Sequence, residues 1–160
     1  MERGRQIVAV FALTLTPLAA ACGRAAPASK ADPPAPRELS RSIVDPYLKI
    51  DSALASDTVD GVTARAREIA AAAERLGSAG DVAAAAGQLT SAADLADARV
   101  KFGALSEAID AYMAREHLAA PAGIRVAFCP MVLKPWLQED GPIRNPYYGR
   151  QMLTCGSFRN

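Results

Sequence analysis

Two segments in the middle of the chain place apolar side chains at alternating steps of three and four residues. The first stripe is Val59, Val62, Ala66, Ile69, Ala73 and Leu76, and the second is Leu95, Ala98, Phe102, Leu105, Ile109 and Tyr112. Because an α-helix completes a turn about every 3.6 residues, each stripe falls on one helical face. A helix with one apolar face is stable when that face packs on another element, so the pattern predicts helices packed against each other.

Turn and capping residues divide this region into four predicted helices. We expect the helices at about residues 45–54, 58–76, 81–93 and 94–118. Asp45 and Pro46 would start the first helix, after a kinked turn from Leu39. Asp57 and Asp60 would cap the second. Short connections favour antiparallel neighbours, so the predicted fold class is all-α: an antiparallel four-helix bundle with a short irregular, β-containing C-terminal tail.

The charge composition argues against two classes of partner. The chain has 18 Lys and Arg residues against 17 Asp and Glu residues, a net charge of +1, and no run of basic residues. A nucleic-acid-binding protein needs a basic patch to neutralise phosphates, and a protein that adsorbs to anionic lipid needs a polybasic segment. We therefore predict no nucleic-acid partner, and a membrane association only through a lipid anchor.

Residues 1–21 have the order of a secretory signal peptide. Arg3 and Arg5 precede an apolar run at residues 7–15, and three alanines then lead to Cys22. The run is too short to span a bilayer as a helix, which takes about 20 residues. The three alanines and the cysteine resemble a bacterial lipobox, and this resemblance implies that Cys22 becomes lipid-modified after cleavage.

Two destinations follow from this N-terminus. The protein is either a lipoprotein on the periplasmic face of the outer membrane or, after ordinary cleavage, a soluble periplasmic protein with a spare thiol at Cys22. Residues 22–37 are rich in Ala and Pro and have no apolar periodicity. That composition is typical of a disordered or polyproline-like linker, here the tether of the folded domain.

The tail, residues 121–160, is expected to pack on the bundle of residues 38–120 as one domain. Alternating apolar residues predict a strand at residues 124–128 that ends near Cys129. A helical turn from Gln151 to Cys155 would put Met152 and Cys155 on one face. Three aromatic residues are predicted to form the tail core against the bundle. They are Trp136, Tyr147 and Tyr148.

Four sulfur-containing residues of the tail are candidate metal ligands. They are Cys129, Met131, Met152 and Cys155. Thiolates and thioethers are soft donors that select Cu(I) or Ag(I) over hard ions. Calcium and magnesium would require clustered carboxylates, which the tail lacks. Zinc would require more Cys or His ligands than a chain with the single histidine His117 offers.

A disulfide between Cys129 and Cys155 is the alternative use of the two thiols in an exported protein. It would close a loop of about 27 residues and contribute roughly 3.5 kcal/mol in the chain-entropy account. A chain with 35 alanines buries little area per core residue, so such a cross-link would be useful. Met131 and Met152 would then fill the core. A redox-active pair is the third reading, and it needs an exposed cysteine of low pKa.

Enzyme motifs are absent from the sequence. There is no Gly-x-Ser-x-Gly, phosphate-binding glycine loop, dinucleotide fingerprint or Cys-x-x-Cys. The only histidine, His117, ends a predicted helix, where a cation interacts favourably with the helix dipole. We therefore predict a protein that is not an enzyme.

The motif CPM…WLQ…IRNPYYG…MLTCG, preceded by DPYLKIDSALASD and ADLADARVKFGALSEAI, carries a family resemblance. It resembles a bacterial domain-of-unknown-function family, over residues 42–158. Members occur alone in exported proteins or fused to periplasmic adaptor subunits of copper/silver-type heavy-metal efflux pumps. The resemblance implies a helical bundle with a small C-terminal appendage. Its domain context implies metal handling, with an efflux complex or another envelope protein as partner.

The function predicted from the sequence is that of an exported accessory protein of envelope metal homeostasis. It would bind Cu(I) or Ag(I) through the four sulfur residues. The alternative is a non-enzymatic structural or interaction module, held by a Cys129–Cys155 disulfide and without a metal.

Overall fold

Four α-helices and then three β-strands form the part of this computed structural model that is described, residues 36–159. The elements are α1 (Arg41–Ala55), α2 (Val62–Leu76), α3 (Gly80–Leu89), α4 (Leu95–Glu116), β1 (Ile124–Cys129), β2 (Lys134–Glu139), a 3₁₀ turn (Gly149–Gln151) and β3 (Ser157–Phe158). The predicted signal peptide at residues 1–21, Cys22 and most of the linker at residues 22–37 lie outside the described residues.

The bundle prediction is confirmed, but the all-α fold class is wrong. The helices pack in chain order, α1 on α2, α2 on α3 and α3 on α4. The tail then forms a three-stranded antiparallel sheet in the order β2-β1-β3, so the fold is mixed and mostly helical. The sequence pattern indicated only one strand because β2 is buried on both faces and β3 has two residues, so neither alternates clearly.

The helical core follows the predicted stripes except at the two ends of α2. Phe102, Leu105 and Ile109 of α4 are fully or almost fully buried. Val59 is 44% exposed and Leu76 is 41% exposed. Val59 precedes the first turn of α2, and Leu76 is its last residue. Both positions therefore lie beyond the part of the helix that its neighbours cover.

The first helix begins earlier than its capping residues predicted. Ser40 is the N-cap of α1, and its Oγ accepts a hydrogen bond from the Ser42 backbone N–H at 3.3 Å. Pro46 lies inside the helix, so the predicted start at Asp45 is wrong. A local serine cap satisfies the first free amide of the helix, and the chain continues through the proline without a new start.

The second helix begins later than predicted, at Val62, after Gly61 in a left-handed conformation. The predicted cap by Asp57 and Asp60 is wrong. The carboxylate of Asp57 accepts hydrogen bonds from Arg99 and Arg150 instead. The two guanidinium groups offer this carboxylate opposite charge as well as hydrogen bonds, so the long-range partners determine where the side chain lies.

The sheet is covered on both faces. On one face, Val126 of β1 and Leu137 of β2 are paired, and both line a small gap against Met113 of α4. On the other face, Ala127 pairs with Trp136, whose ring is covered by the segment at residues 140–156. Double coverage explains why the four central residues of β2 are all buried.

An aromatic cluster joins the sheet to the helices. Tyr47 and Phe102 have ring centroids 4.8 Å apart, and Phe102 lies 6.0 Å from Tyr147. Tyr147 then meets Trp136 edge-on at 5.9 Å. Such pairs contribute about 0.5–1.5 kcal/mol each beyond area burial. The prediction that Trp136 and Tyr147 form a tail core packed on the bundle is confirmed.

Backbone pairing ties the two ends of the helical region together. Leu39 N–H donates to the Ala119 carbonyl at 2.9 Å, and Ala119 N–H donates to the Arg37 carbonyl at 2.8 Å. The chain just before α1 is therefore fastened to the chain just after α4. Among residues 36–159, no helix combines the length and apolar character needed to cross a bilayer.

Candidate functional site

The two tail cysteines lie side by side. Cys129 is the last residue of β1 and is fully buried. Cys155 stands two residues before β3, whose Ser157 pairs with Phe128 of β1. This strand pairing brings together two residues that are 26 positions apart in sequence. The two thiols are free, and Cys129 lies close enough to Cys155 to affect its pKa.

Asn145 organises the cysteine pair. Its side-chain amide donates to Cys129 Sγ at 3.2 Å and to the Cys155 carbonyl at 2.7 Å. Its Oδ1 accepts from the Tyr147 backbone N–H at 2.8 Å. Asn145 is fully buried, so each of these bonds forms in a poorly solvated environment, where it is strong. In the sequence this residue was only a turn signal before a proline.

The electrostatics favour a protonated thiol at Cys155. Burial raises the pKa of the Cys155 thiol, and the neighbouring Cys129 raises that pKa further. None of these effects comes from a cationic neighbour, and a lowered thiol pKa normally requires one. Cys155 therefore suits a thiol that releases its proton to solvent when a metal binds or a disulfide forms better than it suits a resident nucleophilic thiolate.

Of the two tail methionines, Met152 shares a turn with Cys155, whereas Met131 lies in an exposed loop. Met152 follows the 3₁₀ turn, and its carbonyl accepts from Cys155 N–H at 3.0 Å, which puts both residues in one tight turn. The helical turn predicted from Gln151 to Cys155 is therefore displaced, and the 3₁₀ turn ends at Gln151. Met131 lies in the loop between β1 and β2 and is 59% exposed. The structure thus brings Cys129, Cys155 and the backbone of Met152 together and leaves Met131 on the surface.

The donor set within residues 36–159 contains no group of three or more His, Cys, Asp or Glu side chains that could hold a metal ion. Calcium, magnesium and structural zinc sites are built from such groups. A pair of thiols is instead a soft donor set of the kind that selects Cu(I) and Ag(I).

Gly156 positions the backbone beside the pair. It has φ +140°, and a Cβ there would lie 2.6 Å from Trp136 Cη2 and 3.0 Å from the Phe128 carbonyl oxygen. Only glycine fits both the backbone conformation and the contact. The Cys-Gly dipeptide therefore lets the indole of Trp136 pack directly on the chain that carries Cys155.

A set of hydrogen bonds between the tail and the helices was not predicted from the sequence. Arg99 of α4 donates to Asp57 Oδ1 at 2.6 Å, to the Leu54 carbonyl at 2.9 Å and to the Pro146 carbonyl at 3.0 Å. Arg150 donates to Asp57 Oδ2 at 2.9 Å. These hydrogen bonds hold the pKa of Asp57 below its usual range. They anchor the segment that carries Asn145 and Met152.

Comparisons with protein-family models, with curated proteins and with solved structures find no match to this chain. The family resemblance of the tail motif therefore stays a hypothesis.

Proposed function

We propose that the Cys129–Cys155 pair binds a soft monovalent metal ion, Cu(I) or Ag(I). The chain would act as a non-enzymatic accessory of metal homeostasis in the bacterial cell envelope. One observation supports this most directly: the pairing of β3 with β1 and the amide of Asn145 bring two thiols from distant segments close together, beside a turn that carries a methionine. Two-sulfur and three-sulfur sites are the preferred environments of these ions.

Binding would replace the two S–H bonds by two sulfur–metal bonds. Each thiol would lose its proton to solvent, and two thiolates with one monovalent cation leave a net charge of −1 at the site. Asn145 would offset part of that charge, because its amide already donates to Cys129 Sγ at 3.2 Å. Met152 is the nearest thioether along the chain to Cys155, and Met131, two residues after Cys129, would serve as a more exposed ligand.

Cellular context is a further part of the proposal. Export by residues 1–21, with or without lipidation at Cys22, would place the site in the periplasm. A partner in a heavy-metal efflux complex, or another envelope protein, would exchange the ion with it. In this proposal the helices of the bundle run antiparallel and form the scaffold on which the tail packs.

A structural disulfide is the second candidate, and the same proximity of the two thiols favours it. A disulfide-exchange protein of the cell envelope would take up the two electrons and two protons of the thiols, and the S–S bond would join Cys129, at the end of β1, to Cys155. The protein would then be an interaction module without a metal. Because a disulfide removes both thiolates, the two candidates exclude each other in any one molecule at any one time.

Metal titration and thiol counting test the two candidates. The full-length Cys22→Ser chain, reduced and kept without air, would be titrated with Cu(I) against a chromophoric Cu(I) chelator. We expect uptake of one equivalent, loss of uptake in Cys129→Ser and in Cys155→Ser, and weaker uptake in Met152→Leu. Met113→Leu, a buried methionine of α4, is the matched control and should bind as the parent does.

No Cu(I) uptake by the reduced parent would contradict the metal proposal. For the second candidate, thiols would be counted in the protein as isolated from the cell envelope. No free thiol at residues 129 and 155 would support the disulfide, and two free thiols there would contradict it.

A further inference from the structure

A cleft separates α1 from the chain that follows β2, away from the sulfur residues. Its volume is about 580 Å³, within the range of about 300–1,000 Å³ that small-molecule sites occupy. One wall is the side of α1 that carries Asp45 and Ser52, with Lys49 at one edge of that side and Asp51 at the other. The other wall is the segment from Gln138 to Arg144.

Asp51 is a buried acid without a partner in this cleft. Asp51 is 7% exposed, and its Oδ1 has no hydrogen-bond partner among residues 36–159. Burial raises the pKa of Asp51 well above its usual range, Arg144 opposes that shift, and Glu139 adds to it. An unpaired buried carboxyl destabilises a fold, so its presence at a cleft points to a donor that comes from a ligand.

Basic side chains of the same cleft also lack partners. Within the described part of the chain, neither the Lys49 nor the Arg144 side chain makes a hydrogen bond or an ion pair. Arg144 lies close enough to Asp51 to affect its pKa but does not pair with it. Among the described residues, the cleft therefore offers one buried unpaired acid, Asp51, two exposed unpaired bases and the exposed unpaired Glu139, a mixture that suits a ligand with both charges.

The wall opposite α1 is held in place from inside. Gln138 is buried, and its Nε2 donates to the Pro142 carbonyl at 3.0 Å. Its Oε1 accepts from the Arg144 backbone N–H at 3.1 Å and from Trp136 Nε1 at 3.2 Å. The loop that carries Arg144 is thereby fixed before any ligand binds, which reduces the entropy lost on binding.

We propose that this cleft binds a small zwitterion, a free amino acid or a short peptide. Its ammonium group donates to Asp51, and its carboxylate binds Lys49 and Arg144. A divalent cation fits less well, since residues 36–159 contain no group of three acidic or metal-ligating side chains. This proposal does not depend on the metal site.

Calorimetry on the full-length Cys22→Ser chain tests the cleft. The probes are the standard amino acids, L-alanyl-L-alanine, and N-acetyl-L-alaninamide as the uncharged control. We expect binding by at least one zwitterion and none by the uncharged control. Asp51→Asn should weaken that binding by about tenfold or more, because it removes a charged hydrogen bond. Arg144→Gln should weaken it as well.

Two further measurements separate loss of binding from loss of folding. Asp51→Asn should raise the Tm of the unliganded protein, since an amide is buried at less cost than a carboxylate. Asp60→Asn, an exposed position in the loop before α2, should change neither binding nor Tm. Absence of binding by every zwitterion, equal binding by N-acetyl-L-alaninamide, or unchanged affinity in Asp51→Asn would overturn the proposal.

Discussion

In the bundle, α1 to α4 bury stripes of aliphatic side chains and alanines, whereas in the segment at residues 140–156 several contacts depend on one residue type. Ile69 of α2 packs among many similar neighbours. Asn145 makes three side-chain hydrogen bonds that an apolar side chain could not make. Periodic packing tolerates substitution of similar volume, but specific polar contacts do not. The proposed metal site lies in the less tolerant region.

Trp136→Ala should have the largest effect on stability. The side chain is almost fully buried and joins the tail to the aromatic cluster, so we expect a loss of about 3–5 kcal/mol in the free energy of unfolding. Urea denaturation measures the loss. Amide hydrogen exchange should quicken more in β1 and β2 than in α2 and α3, and equal quickening in both regions would contradict the comparison.

Gly156→Ala should destabilise the protein by about 2–4 kcal/mol. The substitution places a Cβ at φ +140°, within 2.6 Å of the Trp136 ring. Because the strain lies beside Cys155, reaction of that thiol with a thiol reagent should also become faster. A stability within about 0.5 kcal/mol of the parent would show that the tail can relax around the added carbon.

Asn145→Ala should lower the free energy of unfolding by about 2–3 kcal/mol, since it leaves buried polar groups without partners. The Tyr147 backbone N–H and the Cys155 carbonyl lose their partners together. The same variant should bind Cu(I) more weakly, as the amide donor to Cys129 is lost. Unchanged affinity would separate the role of Asn145 in folding from any role at the metal.

The acid dependence of stability should differ between Asp57 and Asp97. The pKa of each is lowered, that of Asp57 chiefly by Arg99 and Arg150 and that of Asp97 chiefly by Lys101. A carboxyl with a lowered folded-state pKa stabilises the protein above its unfolded pKa of about 3.9, and this stability is lost as pH falls through the folded pKa.

Asp57→Asn should therefore flatten the acid limb of the stability curve, measured by thermal unfolding from pH 7 to pH 2. Asp97→Asn should flatten it less, because Asp57 connects the tail to two helices and Asp97 pairs within α4. A larger effect at Asp97 would contradict the view that the tail depends on single contacts.

Gly87→Ala should change the free energy of unfolding least of these substitutions. It should raise that free energy, whereas Gly156→Ala should lower it. Gly87 lies inside α3 with open space around its Cα. Alanine has the higher helix propensity, so we expect the free energy of unfolding to rise by about 0.5–1 kcal/mol. Thermal denaturation of the Gly87→Ala and Gly156→Ala variants tests whether glycine is needed in the tail and dispensable in the bundle. Destabilisation by Gly87→Ala would remove that contrast.

Helices and the first strand could be predicted because their signal is local. Apolar spacing along α4 and alternation along β1 are patterns among near neighbours, and the structure has a helix and a strand at these positions, although Ala127 of β1 is buried rather than exposed. The start of α2 could not be predicted, because the carboxylate of Asp57 is bound by Arg150, 93 positions away. No spacing rule reports a partner at that distance.

The sequence likewise predicted only part of the chemistry of the tail. Residue type alone indicated a thiol pair with soft-donor or disulfide chemistry, and the choice between these uses stays a prediction. Asn145 as the organiser of that pair, and Asp51 as an unpaired acid in a cleft, were not visible, because burial of a polar group is a property of the assembled fold.

The sequence by itself determined the helical bundle, the first strand and the types of reactive side chain, since these depend on residue identity and short-range periodicity. The tertiary structure decided which side chains meet. Pairing of β3 with β1 places Cys155 against Cys129, and the exposed loop leaves Met131 apart. Contacts between distant segments depend on how the elements pack, and packing is set by the whole core rather than by any one stretch of chain.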